Sequence, residues 1–391
     1  MPHPHEAPDD DVSLRRQVFE VLSPAVRDAL RRHLTAVAAA RLEFDPRFPE
    51  TAARWEAWWE GRADRPLLVA HCRRNPGRDP GKAFALLDDP EAYLAYRRRQ
   101  VLDTRYVADG VPFLRVDMGP NALATFLGVP WRIDDATVTT WHQHSLEAED
   151  RCWDDDGPVM LDPGNPWLRQ FLETTRRVAR DAAGRYLVVL PDLSCGADLL
   201  VAMRSPAMLC LDLHEHRAAV RRAALRTVAA WAEVYRMTAE TIVSEGAGYM
   251  LWHNIWSAQP YDIPACDFSN LIGPDDFEEV CLPAIELQAA AMPRTCYHLD
   301  GPECARHLDA LLAVDAIEAV QYTPGAGTPS ALSAIDILHR IQEAGKSLLV
   351  FPPPDEVVEL ARMLDPRRLA MWVQSPGAPQ TAARLARHIA G

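Results

Sequence analysis

The chain has 391 residues, 48% of them hydrophobic and 25% charged, which suffices for a large core and excludes a disordered or fibrous protein. The formal net charge of −14 repels nucleic acid and acidic membrane surfaces at long range, so neither is an expected partner. No apolar run approaches the roughly 20 residues that span a bilayer, and the opening MPHPHEAPDDDVSLRR lacks the apolar stretch of a secretory signal, so a cytoplasmic protein with a frayed tail is expected.

Taken in chain order, Pro49–Gly61 carries Trp55, Trp58 and Trp59 and reads as helix plugging the amino end of a core. Leu67–Ala70 (LLVA) is the first strand, and the helix Asp89–Asp103 leads to a second at Phe113–Val116 (FLRV). The connection Asp117–Arg185 is too long for one helix; Trp131–Trp141 (WRIDDATVTTW) reads as a hairpin or extended loop, and such insertions usually cover the substrate side. Helix Asn165–Ala183 precedes the strand Tyr186–Leu190, and helix His216–Glu245 precedes Tyr249–Trp252. Helix Asp275–Ala291, with acids in its first turn as the helix dipole favours, leads to the strand Thr295–Leu299. The strand Ala319–Thr323, the helix Ala331–Ala344 closed by Gly345, the strand Ser347–Phe351, the helix Asp355–Leu364, the strand Leu369–Val373 and the helix Pro379–Ile389 complete the series.

Most of these runs do not alternate polar with apolar residues, which suits strands covered on both faces. Eight such runs with helices between most of them predict a (β/α)8 TIM barrel with an amino-terminal helical extension and a lid insertion between strands two and three. An open doubly wound sheet is the alternative, although no GxGxxG follows an early strand. The expected organisation is a tail and packing helices over residues 1–60 and the barrel over 61–391, one domain overall, with no repeat or linker.

Barrel enzymes gather reactive groups where strands end. Here those positions hold Asp117, Asp192, Trp252-His253, His298 with Asp300, Gln321-Tyr322, Phe351 and Gln374. With a period of two, His298 and Asp300 share one face of their strand, and an imidazole beside a carboxylate serves as a general base with its orienter or as two metal ligands. The plain alternative is a pair that only stabilises a strand end. Asp192 is read as catalytic or substrate-binding, with Asp198 the better helix cap. Trp252, His253, Gln321, Tyr322 and Asp117 are candidate substrate-binding residues, the tryptophan offering a flat apolar wall. The eight cysteines (72, 152, 195, 210, 266, 281, 296, 304) form no CxxC pair and read as free, mostly buried thiols. Cys266 is the exception, a candidate ligand or reactive thiolate in the polar loop PYDIPACDFSNLIGPDDF; Cys296 reads as packing. Gly325-Ala326-Gly327 permits close backbone approach to an anion, or only a tight turn.

The stretch YHLDGPECARHLDALLAVDAIEAVQYTPGAG resembles the fifth-to-sixth strand region of the uroporphyrinogen decarboxylase superfamily, as do CDFSNLIGPDDFEEVCLPAIELQ, LPDLSCGADLLVAMRSPAMLCLDLHEH, VDMGPNALATFLG and WEAWWEGRADRPLL. The likeness covers most of residues 50–375. It implies the barrel fold and one of two chemistries: decarboxylation without a cofactor, or zinc-dependent methyl transfer between a corrinoid protein and a thiol. The decarboxylases carry an RQAGRY-type motif near the first strand, where this chain has VAHCRRNPGRD with Arg73 and Arg74 but not the motif. The methyltransferases carry HxC on strand five and a distal cysteine. His298 matches that histidine, Asp300 stands in place of the cysteine, and WVQSPGAPQ has no distal cysteine. Zinc accepts S, N and O ligands, so Cys266, His298 and Asp300 are the residues of a variant site. The resemblance therefore implies methyl transfer or related one-carbon chemistry on a small or corrinoid-linked substrate. The alternatives are a decarboxylase (lyase) of a small carboxylic acid and a non-catalytic ligand-binding barrel. A homodimer is compatible with all three.

Overall fold

The computed structural model describes residues 7–73, 86–134, 139–149, 153, 159–325 and 330–390. Arg74, Cys152, Ala326 and Gly327 lie outside the described residues. The fold is mixed α/β with a mostly parallel central sheet. Every strand expected from the sequence is present within a few residues of its bounds, as β1 (Leu67–Arg73), β3 (Phe113–Arg115), β6 (Leu187–Val189), β7 (Tyr249–Met250), β9 (Arg294–Asp300), β10 (Ala319–Thr323), β11 (Ser347–Val350) and β12 (Leu369–Trp372). The structure adds β2 (Thr104–Ala108), which lies antiparallel along β1, and β8 (Tyr261–Asp262), parallel to β9. The insertion between β3 and β6 contains the hairpin β4 (Trp131–Asp134) and β5 (Thr139–His142).

One seven-stranded sheet runs β2-β1-β12-β11-β10-β9-β8, and a three-stranded parallel sheet runs β3-β6-β7. Side chains join the two at both flanks. His71 of β1 meets Phe113 of β3 with ring centroids 5.4 Å apart, and His253, just after β7, lies 3.2 Å from His298 of β9.

The helix Phe48–Trp59 covers the amino ends of the strands. The Trp58 indole N–H donates to the Leu348 carbonyl at 3.3 Å, the Ser347 hydroxyl donates back to the Trp58 carbonyl at 2.6 Å, and Trp59 donates to the Trp256 carbonyl at 2.9 Å. At the same end the buried Asp109 carboxylate accepts from Arg54, Arg65 and the Leu68 amide. A buried charge survives only when so paired. The amino-terminal helices Ala7–Val21 and Pro24–Ala38 pack nearby, with Arg27 donating to the Ala291 carbonyl and His33 bonded to that of Ala247, each just ahead of a strand. Residues 7–21 are thus helical where a frayed tail was expected, because the helix is tied down by an ion pair from Arg221 to Asp11.

Helix starts follow the capping pattern. Asn165 accepts the amides of Trp167 and Leu168 ahead of the helix Pro166–Ala182, and Asp89 accepts that of Ala92 ahead of Pro90–Leu102. The region expected as one helix over 275–291 contains a π turn, Phe277–Cys281, between Pro274–Asp276 and Leu282–Ala290; Pro283 removes the amide that a regular turn needs there. The hairpin β4–β5 presses onto the loop after β3: Gly119 has φ +79, and a Cβ there would meet the Thr140 hydroxyl oxygen at 1.9 Å. Among the described residues no helix is long and apolar enough to cross a membrane.

Trp58 is fully buried and joins the plug to β11. Trp58→Ala should cost about 3–5 kcal/mol of unfolding free energy, the range for deleting a buried large aromatic, as read by urea denaturation followed by tryptophan fluorescence.

Candidate active site

Two cavities open at the carboxyl ends of the strands. The smaller, about 430 Å³, is lined by Asp192, Ser194, Asp198, Trp252, Asp267 and His298, among others. The larger, about 650 Å³, is lined by His71, Arg73, Arg97, Arg115, Asp117 and Asn254 together with Tyr106, Phe113, Phe351 and Trp372. Arg115 stands between them: its guanidinium donates to the Trp252 carbonyl, and it feels the charges of Asp117 and Asp192.

The register of β9 against β10 sets the centre of the smaller cavity. Gln321 pairs with His298, so both side chains project from the same face. Gln321 donates from Nε2 to the Thr323 hydroxyl at 2.8 Å and turns its Oε1 to His298 Nδ1. That arrangement assigns the ring proton to Nδ1 and leaves Nε2 bare. His298 Nε2 faces Asp267 Oδ1 at 3.8 Å. His253 approaches Nδ1 from the other side, and the Trp252 ring lies against His253 (centroids 3.8 Å) and edge-on to His298 (5.1 Å). Burial, with His298 and Arg115 nearby, pushes His253 well below the usual imidazole range, so it stays neutral.

Three carboxyl groups surround His298, and all are pushed up. Burial raises Asp192, whose Oδ1 accepts from the Ser194 amide and hydroxyl. Burial and the charge of Asp267 push Asp198 up to about 7. Burial, then the charges of Asp300 and Asp192, push Asp267 up to about 7. The Asp267 side chain is 55% exposed, so its shift strengthens as a ligand displaces water from the mouth. Asp198 sits in the first turn of the helix Ala197–Arg204 but caps a different segment. Its two oxygens accept the amides of Asp267 and Phe268 at 2.9 Å each, starting the 3-10 turn Asp267–Leu271 that holds Asp267 toward His298.

The residues expected from the sequence distribute unevenly around this centre. His298, Asp192 and Trp252 line the smaller cavity, and Asp117 lines the larger, 3.7 Å from Arg97. Asp300 follows His298 on the same strand face, but the carboxylate paired with the imidazole is that of Asp267. Tyr322 pairs with Leu299, on the face opposite His298 and Gln321, because successive side chains of a strand alternate; it is buried there. Cys266 is turned away for the same reason. Ala265 bridges His298 in parallel register, so the next side chain points to the other face, where the Cys266 thiol hydrogen-bonds Cys281 and, with burial, is pushed well above its usual range. Cys266 and His298 thus lie on opposite faces, and among the described residues no group of three or more His, Cys, Asp or Glu side chains that could hold a metal ion is found. The described cysteines are all free.

Asp267 and Arg115 are site residues that the sequence reading passed over. The period of two that joined His298 to Asp300 also joins Arg115 to Asp117, and Asp267 follows Cys266 in a loop already singled out. Set against known proteins, the chain matches no family model, and no curated protein matches it.

A carboxyl raised from 3.8 to about 7 takes up a proton on folding between those limits, so stability falls as pH rises through that window. Asp198→Asn removes this contribution while Oδ1 still accepts one of the two amides. The melting temperature of the variant should therefore fall less between pH 5 and pH 8 than that of the wild type, as measured by calorimetry.

Proposed function

We propose that the protein is a barrel enzyme of the uroporphyrinogen decarboxylase type that performs proton transfer on a small carboxylate-bearing substrate, with decarboxylation the reaction its groups support best. The two sheets would be arcs of one eight-stranded barrel, joined through the His71–Phe113 and His253–His298 contacts. The sequence likeness and the gathering of polar groups at the carboxyl ends of the strands support that fold.

The observation that carries the chemistry is the His298–Asp267 pair, 3.8 Å apart and ringed by the raised carboxyls of Asp192 and Asp198. Groups that hold a proton near neutrality suit general acid catalysis. Arg115, at the junction of the cavities, supplies a fixed cation for a substrate carboxylate or for charge that develops beside it. In such a reaction the bond between substrate carbon and carboxylate breaks, carbon dioxide leaves, and the electron pair remains on carbon. A proton from Asp267, relayed with His298, then forms the new C–H bond. The Trp252 ring, edge-on to His298, shields the imidazole from water.

Methyl transfer, the first reading of the family likeness, would need a thiolate ligand beside His298. The Cys266 thiol is protonated against Cys281 on the other strand face, which favours decarboxylation of the two. The third alternative is a barrel that binds a carboxylate without turning it over.

A panel of carboxyl-13C-labelled 3-oxo and heteroaromatic acids, with release of 13C-labelled carbon dioxide as readout, tests the proposal. Turnover of at least one acid is expected, falling about 100-fold or more in Asp267→Asn and His298→Ala, the scale of a lost general acid. Methyl transfer from methylcobalamin to a thiol, with no carbon dioxide from any acid, would overturn it, as would binding with no turnover.

A further inference from the structure

Asn254 carries two anomalies at once. Its backbone is left-handed at φ 55, and the residue is 5% exposed, with neither the side-chain oxygen nor the side-chain nitrogen hydrogen-bonded among the described residues. Leaving a buried polar group unpaired costs about 1–3 kcal/mol, and a left-handed non-glycine residue persists only where its surroundings hold it. The holding groups are visible. The Asn254 amide donates to the Leu251 carbonyl at 2.8 Å, and the Tyr261 hydroxyl accepts from the Leu251 amide at 2.8 Å while donating to the Ile255 carbonyl. The chain is thus fixed in a turn that sets Asn254 in the wall of the 650 Å³ cavity.

The rest of that wall is complementary in a specific way. Arg115, which donates to the carbonyl of Trp252 two residues before Asn254, lines the same cavity. Arg73 and Arg97 add two further cations, against one carboxylate among the described lining residues, that of Asp117, which pairs with Arg97. Four aromatic rings, Tyr106, Phe113, Phe351 and Trp372, supply flat apolar surface, and His71 meets three of them with centroids 5.1 to 5.4 Å away. Burial and Arg73 push His71 down to about 3, so it adds no positive charge, and its Nε2 is also without a partner.

We infer that the larger cavity takes a planar nitrogen heterocycle with a cis-amide (lactam) edge and a carboxylate beside it. The lactam N–H and C=O exchange hydrogen bonds with the Asn254 carboxamide, the carboxylate meets Arg115, and the ring lies among the aromatic side chains. A carboxamide is the side chain that donates and accepts side by side, as a lactam edge does. The Asn254 amide, closed to solvent in the empty cavity, rotates toward the ligand and gains both bonds. The volume leaves room for a fused ring or a further substituent. This substrate class rests on the decarboxylase reading, in which Arg115 of this cavity meets the substrate carboxylate beside the His298–Asp267 pair of the neighbouring one.

Isothermal titration calorimetry with uracil-6-carboxylate, uracil and benzoate on the full chain tests the inference. Uracil-6-carboxylate should bind at least about tenfold more tightly than either of the others, each of which keeps only one of the two recognition elements. Asn254→Gly keeps the left-handed backbone and removes the carboxamide. It should erase the preference for uracil-6-carboxylate over benzoate, while Arg115→Leu should erase the preference over uracil. Equal binding of the three probes, or a preference unchanged in Asn254→Gly, would overturn the inference. Lactam-selective binding without carbon dioxide release from any labelled acid would instead leave the site standing and remove the decarboxylase reading. Turnover with no lactam preference would do the reverse.

Discussion

The parallel register of β9 on β10 is the constraint from which the rest of the site follows. Setting Gln321 opposite His298 places an amide where it can fix the imidazole, and the bridge from Ala265 to His298 places the next loop along the same strand. From that second contact come two consequences of opposite kind. Cys266 is sent to the far face, against Cys281, and Asp267 returns to the mouth, where Asp198 caps its turn. A one-residue slip in either pairing would exchange the faces and dismantle the site.

The densest buried bonding lies at the end of the fold away from the candidate site. The amino ends of the strands are closed by indole-to-carbonyl bonds from Trp55, Trp58 and Trp59 and by the paired charge of Asp109. At the opposite end the insertion is anchored on its outer side, where buried Arg204 pairs with Asp212 and donates to carbonyls of Leu146, Glu147 and Glu149. The mouth between these anchors is left to carboxyl groups that crowd one another. Such crowding costs stability and yields groups that hold protons near neutral pH, the usual exchange at sites that move protons.

Much of this was legible in the sequence, for physical reasons. Strands buried on both faces appear as uninterrupted apolar runs, which is why all eight were found, and the tryptophan-rich helix announced a buried plug. β2 was missed because TRYVA is an edge strand whose residues are only partly buried, so its pattern lacks a core signal. His298, Asp192 and Trp252 were reachable because strand ends are short and alternate. The partner of His298 was not, since Asp267 arrives through a pairing of residues 261–265 with β9 that no local pattern encodes. Tyr322 and Cys266 show the opposite error, in which nearness along the chain to a site residue stood in for sharing its face.

Nε2 of His298 is a bare nitrogen directed at Asp267, with the ring proton held on Nδ1 by Gln321. 15N NMR of the histidine-labelled protein, with His298 assigned through His298→Gln, measures this directly. A protonated Nδ1 and an unprotonated Nε2 are expected in the neutral ring, with the Nε2 resonance moving in Asp267→Asn and that of Nδ1 moving in Gln321→Leu. A proton found on Nε2, with neither resonance responding to the loss of Asp267, would contradict it.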